Sequence, residues 1–314
     1  MDSVPATPLR QPVFAIPLAG LSEFPLEWLG LAAVCVIDAI WASRIGFSVR
    51  VSSGGVAIIA AVMAAGIFFR RWFVEPRASL TLEYFALTFV LTASFAVLSY
   101  LSWTLRLPLT DAVLLRFDRA LGFDWPHWFH IVKQHRLLLF AFRLSYNMLI
   151  YQGIYFATLF AVLRDRERLR EVFWIVFVAC ATTTLLSAIF PAYGTFDTFG
   201  LGDVAGYLGD MKRLRDGANL HFQLSQLTGV ISFPSFHTVM ALVYIYAFRG
   251  TKLIGLLIAA LNLLMLPSIP FLGGHYLADV IGGGGVALFS ILLVRAALAR
   301  VELPPPRVAQ AALG

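Results

Sequence analysis

Near the C-terminal end of the chain, two histidines and one aspartate have the residue types and spacing for phosphoryl chemistry. His275 and Asp279 are four residues apart in GGHYLAD, so on a helix their side chains stand on one face. The carboxylate can hold one ring nitrogen of the imidazole and leave the other as a nucleophile. His237, in SFPSFHT, lies one apolar hairpin earlier and could act as the general acid. Together the three residues predict phosphoryl transfer through a covalent intermediate on histidine.

The residues just before His237 predict a seat for phosphate oxygens. Pro234 and Ser235 are typical of a helix start. The backbone amides of Ser235 and Phe236 would then be free to bind an anion. We therefore interpret Ser235 and Phe236 as candidate phosphate-binding residues.

An iron or zinc site built from the same two histidines and one aspartate is an alternative. It is disfavoured because no further carboxylate cluster lies near them in the sequence, so we expect no metal and no cofactor. A single histidine at the end of a span is more often a satisfied interfacial residue. The combination of three residues favours catalysis.

The composition predicts an integral membrane protein. The 314 residues are 59% hydrophobic and 13% charged, and their mean hydropathy is +0.80. Soluble domains carry roughly 25% charged residues. The net charge of +6 comes from short loops and not from one basic stripe, so no nucleic-acid partner is expected. Cys35 and Cys180 fall inside apolar segments, which argues against a disulfide framework.

About eight stretches are apolar enough to form spanning helices, and they predict an all-α polytopic fold. The candidate spans are 29–45, 56–70, 82–105, 138–163, 172–191, 235–249, 253–269 and 276–298.

The arginine and lysine residues in the loops predict the orientation of these spans. With eight spans both termini share one face, and RDRERLR (164–170) is the strongest anchor for placing that face inside. His237 and His275 would then lie at the outer face. For a bacterial inner membrane, this means cytoplasmic termini and a periplasmic active site.

At the two histidines the sequence resembles the type-2 phosphatidic acid phosphatase superfamily, whose members are integral-membrane lipid phosphatases. Its second motif, proline-serine-glycine-histidine, reads PSFH here (234–237). Ser268, His275 and Asp279 fit its third motif, in which Ile269 replaces an arginine.

The resemblance implies His275 as the nucleophile, Asp279 as its orienting partner and His237 as the acid that protonates the leaving oxygen. It also implies a six-helix catalytic core. We map this core to residues 82–298, preceded by a leader (1–28) and two accessory helices (29–81), and followed by a cytoplasmic tail (299–314).

Two departures resemble the inositol phosphorylceramide synthase (aureobasidin-resistance) branch of that superfamily. Phe236 replaces the motif glycine, and the third-motif arginine is lost at Ile269. The extra N-terminal spans and the stretch 108–129 also look like bacterial members of that branch. The resemblance implies transfer of a head-group phosphate to a hydroxyl acceptor.

The first motif of the superfamily, which supplies a lysine and an arginine, cannot be recognised in this sequence. Lys212, Arg213 and Arg215 in MKRLRDG are candidate replacements that could bind phosphate. The alternative is a solvated cluster balanced by Asp210 and Asp216.

Arg143 is a second candidate for binding phosphate. With Asn147 and Tyr151 it forms a stripe at steps of four along one span, and these two residues would line a substrate pocket. A guanidinium in a span is expected to face the bundle interior, where it can grip a phosphate. The alternatives are a structural pair with an acid such as Asp118, or snorkelling to the surface. Asp38, also within a span, has no evident partner.

The sequence therefore predicts a lipid phosphatase or phosphotransferase whose partners are a lipid phosphate, the bilayer and, for transfer, a hydroxyl acceptor. The rival interpretation is a lipid head-group binder or transporter on the same fold. The sequence gives no indication of the oligomeric state.

Overall fold

The computed structural model describes residues 22–51, 76–202, 206–218 and 220–302, together with the single residues 61, 64, 65, 68 and 204. Within these residues, five helices are long and apolar enough to cross a membrane, and a bent helix pair adds a sixth span. The predicted all-α membrane fold is confirmed. The predicted span at 56–70 lies almost wholly outside the described residues.

Seven helices form the first half of the described chain. They are α1 (Pro25–Ile45), α2 (Pro76–Trp103), α3 (Asp111–Ala120), α4 (Trp125–Gln134), α5 (Arg136–Asn147), α6 (Leu149–Val162) and α7 (Arg166–Ile189).

The second half has four longer helices and two single turns. They are α8 (Thr195–Thr198), α9 (Leu208–Asp216), α10 (Phe236–Ala247), α11 (Leu253–Met265), α12 (Ile269–Leu272) and α13 (Leu277–Glu302). Two short strands, β1 (Ser48–Arg50) and β2 (His221–Gln223), pair in parallel and join the end of α1 to the segment before α10.

The predicted span 138–163 is not one straight helix. It breaks at Met148 into α5 and α6, which are bent by 41°. The two halves have different packing partners, because α5 lies against α4 and α11 whereas α6 lies against α2, α7 and α10. No proline marks the break, so hydropathy alone predicts a continuous span.

The main hydrophobic core lies between α1, α2, α6, α7, α10 and α13. Aromatic side chains fill much of it, and they include Phe24, Tyr84, Phe156, Phe160, Phe173 and Phe248.

Close contact between α10 and α13 depends on two glycines. A methyl group at Gly283 would lie 2.5 Å from the carbonyl oxygen of Ser235, and one at Gly282 would lie 2.8 Å from the Phe233 ring. Small residues at these positions therefore allow the last span to pack tightly against the start of α10. This contact brings the start of α10 against the first turns of α13.

The bundle end opposite the two histidines is held by ion pairs. Arg170 Nε contacts the buried carboxylate of Glu27 at 2.9 Å, and Trp174 Nε1 donates to the same oxygen at 3.0 Å. Arg249 pairs with Glu171 at 2.6 Å. These contacts join α1 to α7 and α7 to the end of α10.

Candidate active site

His275 and Asp279 form the contact that their spacing predicts. His275 Nδ1 lies 3.0 Å from Asp279 Oδ2, and both side chains are buried. The expectation that both residues belong to the helix is wrong, because α13 begins at Leu277 and His275 lies in the turn before it. The turn still aims the imidazole at the first turn of the helix.

The Asp279 carboxylate is fixed by three contacts to one oxygen. Besides His275, its Oδ2 accepts hydrogen bonds from the backbone N–H of Tyr276 and from Ser232 Oγ, both at 3.0 Å. A carboxylate at this position orients a neutral imidazole with its proton on Nδ1, which leaves the Nε2 lone pair free. The arrangement can make His275 Nε2 a nucleophile.

Ser235 lies at the start of a helix, as the sequence predicts, at the N-cap position of α10, but its side chain does not cap that helix. Instead the Oγ lies 3.5 Å from His275 Nε2, and its backbone N–H donates to the Asp279 carbonyl oxygen at 2.9 Å. The serine therefore links the start of α10 to the His275–Asp279 pair, and its hydroxyl lies beside Nε2.

His237 lies in the first turn of α10 and stacks on Tyr146. The ring centroids are 4.2 Å apart with planes inclined by 18°, and Tyr146 Oη lies 3.3 Å from His237 Nδ1. Sequence analysis missed Tyr146, because the stripe it followed steps from Arg143 to Asn147. An aromatic residue one position before Asn147 gave no helical-spacing signal.

The two histidines line one cavity at the same end of the bundle. Gly273 lies against the His275 ring and Tyr146, and a methyl group there would be 2.6 Å from His275 Cδ2 and 2.8 Å from Tyr146 Oη. The Tyr146 hydroxyl, which contacts His237, is thus also close to the His275 ring. A single phosphorus atom between the two imidazoles is compatible with this arrangement.

The cavity continues from the histidines into the apolar interior. Its volume is about 780 Å³, and α2, α6, α7 and α10 supply most of its lining. Along α7 the lining runs from Val172 to Thr184, and along α2 from Tyr84 to Ser99. At 1.5 Å per residue these stretches are about 18 and 22 Å long. The cavity is long enough for an extended hydrocarbon chain.

Arg143 does not have the orientation that the sequence predicts. Its side chain is exposed and does not line the cavity, and Tyr151 is 58% exposed and also lies off the cavity. Only Asn147 of the predicted stripe reaches the lining. The bend at Met148 accounts for Tyr151 alone, because it changes the direction of the helix between Asn147 and Tyr151, whereas Arg143 lies before the bend on the same helix as Asn147.

The cations of the predicted MKRLRDG cluster are engaged outside the cavity. Lys212 pairs with Asp197 at 2.8 Å, Arg213 pairs with Asp210, and Arg215 donates to the carbonyl oxygen of Leu107 at 2.8 Å. None of the three lines the cavity. Their positions on α9 therefore match the alternative of an exposed charge cluster.

The described cavity lining contains no lysine or arginine. At the position of the third-motif arginine, Ile269 is fully buried in an apolar cluster with Ala241 and Met265. The polar groups at the histidine end of the cavity are hydroxyls and amides, among them Tyr146, Asn147 and Tyr207. A phosphate in this site would be balanced chiefly by histidine and by neutral donors.

Two further sequence expectations concern residues away from the cavity. Asp38 is buried in α1, and its Oδ1 has no hydrogen-bond partner among the described residues. Asp118 does not pair with Arg143 but accepts two backbone hydrogen bonds at the start of α13. In the part of the chain that the structure describes, no group of three His, Cys, Asp or Glu side chains could hold a metal ion.

Comparison with known protein families identifies the class of protein that this fold and site define. The family model of the PAP2 superfamily matches residues 112–293, which is more than half of the chain. The chain belongs to the PAP2 superfamily. No curated protein and no solved structure matches it at a significant level. Membership indicates a membrane-embedded enzyme of the phosphatase and phosphotransferase class, with a lipid substrate.

Proposed function

We propose that the protein is a lipid phosphatase or phosphotransferase that works through a phosphohistidine on His275. The observation that carries the proposal is the position of the two imidazoles. His275 is held through Nδ1 by Asp279, and its Nε2 edge and His237 line the same cavity. A nucleophile and a general acid on one cavity are what a two-step phosphoryl transfer requires.

In the first step, His275 Nε2 attacks phosphorus and the bond from phosphorus to the leaving oxygen breaks. His237 donates a proton to that oxygen, so that the lipid or head-group alcohol departs neutral. In the second step, water or an acceptor hydroxyl gives a proton to His237 and attacks phosphorus, and the N–P bond breaks. His275 returns to its neutral form with Asp279 as its partner.

Neutral hydrogen-bond donors at the start of α10 support a phosphate-binding site there. Ser235 Oγ lies beside His275 Nε2, and the first amides of α10 include that of Phe236, which lines the cavity. Ser235 and Phe236 therefore remain the proposed phosphate-binding residues, and Asn147 a proposed pocket residue. Arg143, Tyr151 and the three cations of α9 lie off the cavity, so this role no longer has structural support for them.

The depth of the cavity supports a lipid substrate whose chain is held inside the bundle. Its lining is mostly apolar, with residues such as Leu91, Phe95, Phe156 and Met240. A single leaflet of a bilayer provides about 15 Å of hydrocarbon, half the thickness of the core. A cavity about 20 Å long therefore has room for one whole lipid chain below a phosphate at the histidines.

Charge balance supports transfer from a phosphodiester more than hydrolysis of a monoester. A monoester phosphate brings two negative charges into a site whose described lining has no lysine or arginine. A diester brings one, so less unpaired charge is buried with it. Burying an unpaired charge is costly. We accordingly favour the branch that resembles inositol phosphorylceramide synthase, in which a hydroxyl is the acceptor.

The proposal includes the arrangement predicted from the sequence. A catalytic core spans residues 82–298, with a leader and two accessory helices before it and a tail after it. The termini are cytoplasmic, and the histidine end of the bundle faces the periplasm of a bacterial inner membrane. Labelling of cysteines introduced at either end of the bundle, from one side of the membrane, tests this orientation.

The test of function uses purified protein in lipid nanodiscs with radiolabelled lipids. A phosphate monoester lipid and an inositol-bearing phosphodiester lipid are each supplied with and without a ceramide acceptor. We expect phosphate release or a new phosphodiester, together with an acid-labile labelled protein, and we expect vanadate to inhibit. His275→Ala should abolish all of these. His130→Ala, on an exposed histidine that contacts Gln134, is the matched control and should retain activity.

If neither product nor labelled protein exceeds the His275→Ala level while the lipid still binds, the catalytic proposal is wrong. That result would favour a head-group binder or transporter on the same fold.

A further inference from the structure

Asp118, on the short helix α3, contacts the turn that carries His275 and leads into α13, although it lies far from that turn in sequence. We call this segment the catalytic turn. The side chain of Asp118 is fully buried. Its Oδ2 accepts the backbone N–H of Leu277 at 2.8 Å, and its Oδ1 accepts that of Ala278 at 2.9 Å. One carboxylate thus satisfies the first two amides of α13.

In the sequence, the amides of Leu277 and Ala278 lie between His275 and Asp279. The first turn of a helix leaves its N–H groups without partners inside the helix, and a nearby side chain usually caps them. Here Asp279 reaches back to the N–H of Tyr276, and Asp118 takes the next two amides. The backbone of the turn that carries His275 is therefore held by two carboxylates.

Asp111, two turns before Asp118 on the same helix, holds the other side of this turn. Its Oδ1 accepts the hydroxyl of Tyr276 at 3.0 Å and the backbone N–H of Gly194 at 2.9 Å, and its Oδ2 accepts that of Tyr193 at 3.1 Å. The loop that contains Tyr193 and Gly194 also contacts the catalytic turn directly, because the backbone N–H of Thr195 donates to the carbonyl oxygen of Gly274 at 2.8 Å. Helix α3 therefore contacts both the backbone and a side chain of the catalytic turn.

Burial raises the pKa of Asp118, as does the neighbouring Asp279, and together they outweigh the lowering by the N–H groups of Ala278 and Leu277. The role of Asp118 therefore rests on its contacts. Neither Asp118 nor Asp111 lines the cavity, so neither is in a position to touch a substrate there.

We propose that Asp118 is a positioning residue that fixes the His275–Asp279 pair through the backbone of Leu277 and Ala278, and that Asp111 supports it through Tyr276. The proposal rests on the phosphohistidine chemistry proposed above. A misplacement of about 1 Å of a reacting group can cost on the order of 100-fold in rate. The expected signature is a loss of kcat without a loss of substrate binding.

The experiment compares Asp118→Asn with the wild type in nanodiscs, using the lipid substrate that the wild type turns over. Asparagine keeps the shape but turns an NH₂ group toward one of the two backbone N–H donors. We expect kcat to fall on the order of 100-fold, with KM unchanged and with phosphoenzyme formation slowed to the same degree.

Asp165→Asn is the matched control. Asp165 also caps a helix with its carboxylate, accepting the N–H of Arg168 at 3.0 Å at the start of α7, far from the histidines. Both variants lose a carboxylate charge at a helix start. Asparagine can keep the single cap at Arg168, whereas it loses one of the two at Leu277 and Ala278, so only Asp118→Asn is expected to melt at a lower temperature. Only Asp118→Asn is expected to lose kcat in the fraction that remains folded.

Wild-type kcat in folded Asp118→Asn, or an equal loss of kcat in Asp165→Asn, would overturn the proposal. If Asp118→Asn does not fold, Tyr276→Phe removes only the hydroxyl, which donates to Asp111 and also contacts Thr198. It should lower kcat with KM unchanged, and wild-type kcat in that variant would equally overturn the proposal. Failure of the proposed function gives a different result, because the wild type itself would not exceed His275→Ala.

Discussion

The aromatic rings of Tyr146 and His237 are stacked, with centroids 4.2 Å apart and the tyrosine hydroxyl 3.3 Å from His237 Nδ1. Tyr146 lies in the last turn of α5, directly before the bend at Met148, and His237 lies in the first turn of α10. The contact fixes the plane of the imidazole and leaves its other edge to the cavity. Two helices that are distant in sequence thus determine the orientation of the proposed acid.

Two substitutions of Tyr146 separate the effect of ring stacking on His237 from the effect of the hydrogen bond to His237. Tyr146→Phe keeps the ring and loses one hydrogen bond of about 1 kcal/mol, so we expect roughly a five-fold loss of kcat. Tyr146→Ala also removes the ring, and we expect a loss on the order of 100-fold because the imidazole is then free to rotate. Steady-state kinetics in nanodiscs measure both effects.

Tyr151→Phe is the control for Tyr146→Phe, because Tyr151 is exposed and lies off the cavity. It should behave as the wild type. Equal activity of Tyr146→Phe and Tyr146→Ala would contradict a role for the stacked ring.

Gly273 tests whether the space beside the His275 ring and the Tyr146 hydroxyl must stay free of side-chain atoms. The φ of this glycine is −99°, so alanine is compatible with its backbone, but the new methyl group would meet the His275 ring and the Tyr146 hydroxyl at under 3 Å. We expect Gly273→Ala to lower kcat/KM on the order of 100-fold with a small effect on stability.

Gly285→Ala is the matched change, because a methyl group there has no atom within 4 Å. It should retain activity and, by removing a glycine from a helix, raise stability slightly. A fully active Gly273→Ala would show that the space beside the His275 ring and the Tyr146 hydroxyl does not need to stay open.

Val176 tests whether the long cavity holds a lipid chain. It lies on α7 part of the way along the lining, so Val176→Phe should obstruct the deep half of the cavity. We expect kcat/KM to fall for long-chain lipids and to stay unchanged for short-chain analogues, whose chains end above the obstruction. Activity against a series of chain lengths measures this dependence.

Leu185→Phe adds similar volume on the same helix at a side chain that is 60% exposed, and it should leave the chain-length profile unchanged. An equal loss for all chain lengths in Val176→Phe would indicate a general packing defect and not a chain site.

The sequence predicted the parts of the site that depend on local spacing and on the alternation of spans. The four-residue step from His275 to Asp279 gave the contact between them, even though the helix begins only at Leu277. The single hairpin between His237 and His275 gave their position at one end of the bundle, because two antiparallel spans return the chain to the same side.

The parts that the sequence missed depend on tertiary packing. The two sides of the bend at Met148, α5 and α6, pack against different neighbours, and on α5 it is Tyr146 and not Arg143 that reaches the cavity. The sequence offers Asp118 only as a possible partner for Arg143, because nothing local indicates that its carboxylate caps a helix that begins far along the chain.

The length of the apolar cavity has a consequence for how a turnover cycle ends. With the reacting phosphorus of the proposed lipid substrate beside the imidazoles, the tail of that lipid would leave its leaflet and lie in the cavity. A released tail must then slide back sideways into the bilayer, and each additional methylene group that it withdraws from the apolar lining lengthens its stay. In such an enzyme, the rate of steady operation would be governed by tail exchange with the surrounding lipid as much as by bond cleavage.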